Sequence, residues 1–122
     1  MRRQESSENY LEQILILSKK QINVRSIDIV NSMNFSKPSV SIAMKNLKQS
    51  DCINISDKGF ITLTEKGYEI ANKVYERHCL LTKTLIKLGV PEEIAAEDAC
   101  RLEHDLSEES FNAIKNYIDK IK

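Results

Sequence analysis

The 122-residue sequence contains no tryptophan, only three glycines and only two prolines. So few helix breakers point to a mainly helical chain. No apolar run approaches the roughly 20 residues needed to span a bilayer, so no membrane partner is expected. The N-terminal stretch Met1-Arg2-Arg3-Gln4-Glu5 is charged and lacks the apolar segment of a signal peptide. Cysteine is sparse and odd in number, at Cys52, Cys79 and Cys100. Such wide spacings argue against a disulfide framework and for a reducing, cytoplasmic setting. No internal repeat, linker or low-complexity tract is visible. With 41% hydrophobic and 30% charged residues, the chain can bury one core or two modules sharing one, and a dimer would help it.

Acid is missing where base is plentiful. The formal charge sums to zero, yet residues 1–58 carry nine Lys/Arg against six Asp/Glu, and residues 59–122 carry nine against twelve. A basic front half suits a polyanion partner, and an acidic back half suits a cation. Between 36 and 50 there is no acid at all.

The periodicity predicts helices over most of the chain. Tyr10, Leu11, Ile14, Leu15 and Leu17 mark the first, with Asn9 and Glu12 three apart on one side. Ser26 is expected to cap a short helix with Ile27, Ile29, Val30 and Met33 inward, ending in a turn at Asn34-Phe35. Ser36-Lys37-Pro38 opens the next, with Val40, Ile42, Ala43, Met44 and Leu47 as its apolar set. Ser36, Lys37, Ser39, Ser41, Lys45 and Lys48 would then face outward. Short helix, tight turn and a second helix bearing hydroxyls and lysines form the pattern of a helix-turn-helix, whose second helix enters the major groove of double-stranded DNA. The same pattern also describes an ordinary helical hairpin with a solvated lysine face.

The next stretch favours the first reading. Ile53-Asn54-Ile55 and Phe60-Ile61-Thr62-Leu63 predict two strands around a glycine turn, the wing of a winged helix. Its tip, Lys58-Gly59, would meet phosphate or the minor groove. Thr64 should cap a long helix to about Leu88, with Ala71, Val74, His78, Leu81 and Leu85 as an apolar stripe. Gly89 ends it, Pro91 starts another with Ile94, Ala95, Ala99, Leu102 and Leu106 inward, and Ser107 caps the last, edged by Phe111, Ile114, Ile118 and Ile121.

Late in the chain, Cys100, Glu103 and His104 fall within about a quarter turn of one helix. A thiolate, a carboxylate and an imidazole converging there could hold a divalent transition metal. The plainer alternative is a surface Glu and His beside a half-buried Cys. His78, on an apolar stripe, reads more readily as a hydrogen-bonded core residue than as a ligand.

In the order of its motifs the chain resembles metal-dependent regulators of the diphtheria toxin repressor and manganese transport regulator family. The stretches concerned are Glu8-Asn9-Tyr10-Leu11-Glu12, Val24-Arg25-Ser26-Ile27-Asp28-Ile29, Ser36-Lys37-Pro38-Ser39-Val40-Ser41 and Ile61-Thr62-Leu63-Thr64. Val74-Tyr75-Glu76-Arg77-His78 and the run from Asp98 to Ser107 complete them. The resemblance implies a winged helix-turn-helix DNA-binding domain over 1–63 and a helical metal-binding and dimerisation domain over 64–122. It implies a homodimer in which ligands from both modules close around one ion and set the angle between two recognition helices. The ligands it implies are Asn9, Glu12, His78, Cys100, Glu103 and His104. DNA contacts are expected from Arg25, Ser36, Lys37, Ser39, Ser41, Lys45 and Lys58, with Ser39 the first candidate for a base edge. Dimer contacts are expected around Leu81, Leu85, Ile94, Leu102 and Leu106.

Two departures bear on the metal. Asn9 stands where the manganese branch typically has Asp and the iron branch Met, and its amide suits neither better. Cys100 matches the iron branch, where the manganese branch has a carboxylate. Fe(II) is therefore the expected effector, with Mn(II) second and Co(II) or Zn(II) able to substitute. Of the positions matching the iron branch's ancillary site, His78, Thr82 and Ala96, only the first could bind, so that site is not expected. Nor is the C-terminal SH3-like domain of larger members. The expected function is metal-activated repression of iron or manganese uptake genes. Two alternatives stand beside it. One is a metalloenzyme using His78, Glu103 and His104 with an open position for water, although no glycine-rich substrate loop or further acid–base group is evident. The other is a metal-independent winged-helix regulator with a degenerate site, since Asn9 is a weak ligand.

Overall fold

Ser6 accepts a hydrogen bond from the backbone N–H of Asn9 at 3.2 Å and so caps the first helix, α1 (Ser7–Lys20). The computed structural model describes residues 6–121, and the charged stretch 1–5 and Lys122 lie outside the described residues. Beyond α1 come α2 (Ser26–Met33), α3 (Lys37–Gln49), β1 (Ile53–Ile55), β2 (Ile61–Leu63), α4 (Glu65–Lys87), α5 (Glu92–Asp105) and α6 (Glu108–Ile121). The architecture is mainly α, with one small antiparallel sheet in which Ile53 pairs with Leu63 and Ile55 with Ile61. The chain packs as two units that divide inside α4, between Val74 and Tyr75.

In the unit up to Val74, Leu11 and Ile14 of α1, Ile29 of α2, Val40, Met44 and Leu47 of α3, and Ile53 and Ile61 of the sheet are buried. The Tyr10 and Phe35 rings lie 5.8 Å apart in tilted contact. Asn34 takes a left-handed conformation (φ 58) at the end of α2, which makes the tight turn into α3 possible. The expected cap of α2 shifts by one residue: Arg25 is the N-cap, and its N–H donates to the Asp28 carboxylate at 2.9 Å. Ser36 caps α3, with Pro38 in the first turn. The wing turns at Gly59 (φ 84), closed by Ser56 N–H donating to Phe60 O and Gly59 N–H to Ser56 O, both at 2.9 Å. The β2 strand also reaches back to Val24, whose carbonyl accepts from Ile61 N–H at 2.7 Å.

Two inward assignments are corrected. Ile27 and Ile42 are exposed, because each lies well round the helix from the stripe its neighbours bury.

In the unit from Tyr75, Leu81, Ala95, Ala99 and Phe111 are buried. Gly89 (φ 105) ends α4, and Ser107 caps α6 by accepting from Ser110 N–H at 3.1 Å. Ile94 and Leu102, expected inward, are exposed, as is Ile121 on the apolar edge of α6. Lys115 of α6 donates to Glu76 of α4 at 2.7 Å, and the carboxylate raises the lysine pKa above its ordinary value. That stabilisation is lost as pH rises through the raised lysine value.

Candidate metal centre and nucleic-acid face

The unit from Tyr75 brings two helices' ligand-bearing residues together. On α4 sits His78, and on α5 sit Cys100 and Glu103. Their candidate donor atoms, a ring nitrogen, a sulfur and a carboxylate oxygen, all lie within 4.8 Å of one another. The Glu103 side chain is 0% exposed, with Oε2 at 3.2 Å from His78 Nδ1. On its other side, Oε1 lies 3.4 Å from His104 Nε2. Among the described residues no donor completes a hydrogen bond of normal geometry to either oxygen. A carboxylate removed from water needs a compensating charge. Soft sulfur, borderline imidazole and hard oxygen together suit a divalent transition ion, and the residues present fit one.

Arg77 was not singled out in the sequence, yet it organises this end of α5. Its guanidinium donates to the carbonyls of Glu103 and Leu106, each at 3.1 Å, and lies 4.9 Å over the Phe111 ring. It thus satisfies carbonyls that the helix end leaves unpaired and holds the turn bearing Glu103 and His104. The signal was available only as an arginine beside a histidine, which names no partner.

Asn9 and Glu12, the other expected ligands, lie on α1 in the unit up to Val74. Both are deeply buried, at 1% and 0% exposure, which is unusual for polar side chains. All three cysteines are free: Cys52 is buried, Cys79 exposed and Cys100 half-buried.

The expected DNA contacts share the first unit. Lys37, Ser41 and Lys45 are exposed on α3, and Lys58 is exposed at the wing tip. Ser36 is tied to the helix start: its Oγ accepts from Ser39 N–H at 3.2 Å and donates to Ser39 Oγ at 3.0 Å. Ser39 itself is half-buried. Arg25 places its guanidinium 4.6 Å over the Phe60 ring, joining the start of α2 to the wing.

Comparison with known proteins decides the family. The chain is 33% identical over 120 residues to an uncharacterised HTH-type transcriptional regulator of Methanocaldococcus jannaschii, covering 97% of this chain and 96% of the relative. It is 31% identical over 118 residues to the transcriptional regulator MntR of Escherichia coli O6:H1, covering 97% of this chain and 76% of that one. This chain belongs to the diphtheria toxin repressor and manganese transport regulator family. Residues 64–122 match the family described as iron dependent repressor, metal binding and dimerisation domain. Among solved structures, the manganese regulator SloR superposes with a TM-score of 0.83 at 27% identity over 98% of this chain. The chain spans 55% of that protein's length. The fold so matched is a winged helix followed by a helical module.

Proposed function

We propose that this family member is a metal-dependent, DNA-binding regulator of transcription acting in the cytoplasm as a homodimer, and a repressor of iron or manganese uptake genes. The observation that carries the proposal is the buried Glu103 carboxylate, flanked by His78 and His104 and within reach of Cys100. In the same chain, α3 presents lysines and hydroxyls without an acid between 36 and 50. The relatives are transcriptional regulators by name, which favours this reading over a metalloenzyme.

In this reading His78, Cys100, Glu103 and His104 hold the ion. A bound divalent ion supplies the positive charge that a buried carboxylate beside a half-buried thiolate requires. His78 stands on α4, the helix whose first turns belong to the DNA-binding unit, so holding His78 in place bears on the recognition helix through the backbone itself. Operator affinity and metal affinity are then linked, each strengthening the other by the same factor.

The sulfur sets the metal. Thiolate suits Fe(II), Co(II) and Zn(II) better than Mn(II), which prefers carboxylate and water. Fe(II) is therefore the proposed effector and Mn(II) the second reading, favoured by the names MntR and SloR among the relatives. Cys100→Glu should shift activation toward Mn(II) while leaving fold and dimer intact. Equal Fe(II) and Mn(II) responses, unchanged by that substitution, would place Cys100 outside the coordination sphere.

Lys45 is proposed to hold a phosphate. Lys45→Ala should weaken binding to every sequence alike and lower the slope of log affinity against log salt by about one unit. An unchanged slope would remove that face of α3 from the interface.

Dimerisation is assigned to the helices of residues 64–121, where Ile86, Leu88, Ile94, Leu102, Tyr117 and Ile121 remain exposed. Apolar burial, not the ion, would drive association, so the metal-free protein should already sediment as a dimer at micromolar concentration. A monomer with and without metal would contradict this.

A further inference from the structure

The α3 helix carries one side chain that its amphipathic pattern does not explain. Val40, Met44 and Leu47 form the buried stripe, and Ile42 lies about 200° round the helix from Val40, on the side away from the core. It is 62% exposed. Pro38 and Lys45 stand on the same side one turn before and after it, with Ser41 beside it, and all three are exposed. An isolated surface isoleucine is ordinary and needs no account. This one sits at the centre of a face with no acid, between side chains suited to phosphate and base edges.

The neighbouring hydroxyls sharpen the point. Ser39, the first candidate for a base edge from sequence, is half-buried, and its hydroxyl is engaged by Ser36 at 3.0 Å. Ile42 projects where Ser39 does not.

We propose that Ile42 reads the methyl group of a thymine in the major groove and is a specificity-determining residue of this protein. The proposal rests on the DNA-binding reading above. The base edges exposed in that groove offer donors, acceptors and one apolar group, the thymine C5-methyl. Isoleucine has neither donor nor acceptor, so it gains contact only from that methyl. Against cytosine, adenine or guanine it would strip water from a polar edge and leave it unpaired. Ile42 therefore selects thymine partly by attraction and partly by the cost of the alternatives.

The test uses the full chain loaded with Mn(II) or anaerobic Fe(II), and duplexes selected by it from a randomised pool. Each thymine of the selected duplex is replaced singly by uracil, which removes the methyl and nothing else. Wild type should show one thymine per half-site at which uracil weakens binding about four-fold, the worth of roughly one buried methyl. Ile42→Ala, a surface change whose fold is checked by circular dichroism, should bind the thymine and uracil duplexes equally at that position. Wild type indifferent to uracil everywhere, or Ile42→Ala keeping the full sensitivity, overturns the assignment while leaving DNA binding intact. A wild type that selects no sequence from the pool overturns the DNA-binding reading and this inference with it.

Discussion

Glu103→Gln should abolish the metal response while leaving the metal-free protein folded. The carboxylate is the group on which His78 and His104 converge, at 3.2 and 3.4 Å, and its side chain is fully buried. Partners one step outside a coordination shell already cost 10–100-fold in affinity, so loss of this ligand should cost about 100-fold or more. Metal at a hundred times its dissociation constant should raise wild-type stability by about 2.7 kcal/mol, and the variant should keep no more than about 0.4 kcal/mol of that rise at the same concentration. The amide keeps the size of the side chain and removes a buried charge, so the metal-free transition should stay near that of wild type. Thermal unfolding with and without metal separates the outcomes. A variant stabilised by metal as strongly as wild type would remove Glu103 from the site.

Gly67→Ala should destabilise the unit up to Val74, against the sign that helix propensity alone predicts. Gly67 lies in the first turn of α4, where alanine would ordinarily stabilise by about 1 kcal/mol. A Cβ built there would stand 1.9 Å from the carbonyl oxygen of Cys52. That carbonyl is backbone at the start of the wing and accepts from Thr64 N–H at 3.0 Å, so it cannot swing aside without breaking the seat of α4. Overpacking of this kind costs about 1–3 kcal/mol, and more where backbone must shift. Urea unfolding should show a lowered midpoint. A raised midpoint would mean that α4 does not approach Cys52 so closely.

How far these features could be read from sequence depends on how local their causes are. Ser36 and Pro38 announce the start of α3 because cap and first-turn chemistry act over three residues. The glycine of the wing and the left-handed Asn34 act over as few. Cys100, Glu103 and His104 could be grouped because one helix face gathers them, whereas His78 reaches them only through the packing of α4, and its place on an apolar stripe reads first as a core residue. Ile42 was misplaced because Val40, Ile42, Ala43 and Met44 crowd into little more than one turn, which hides which of them a helix buries. Gly67 and Arg77 escaped notice for a common reason. Each answers a contact far along the chain, with Cys52 in one case and with Glu103 and Leu106 in the other, and no spacing rule reports such a contact.

Coupling between metal and DNA is the centre of the account, and fluorescence anisotropy of a labelled, pool-selected duplex titrated with the full chain measures it directly. The titration is made in chelator, then with Mg(II), Mn(II), Co(II), Zn(II) and anaerobic Fe(II) in turn. Binding should be at least about 5-fold tighter with Fe(II) or Mn(II) than in chelator, within the usual range of allosteric coupling, with no such gain with Mg(II). Equal affinity in chelator and in every metal would contradict it.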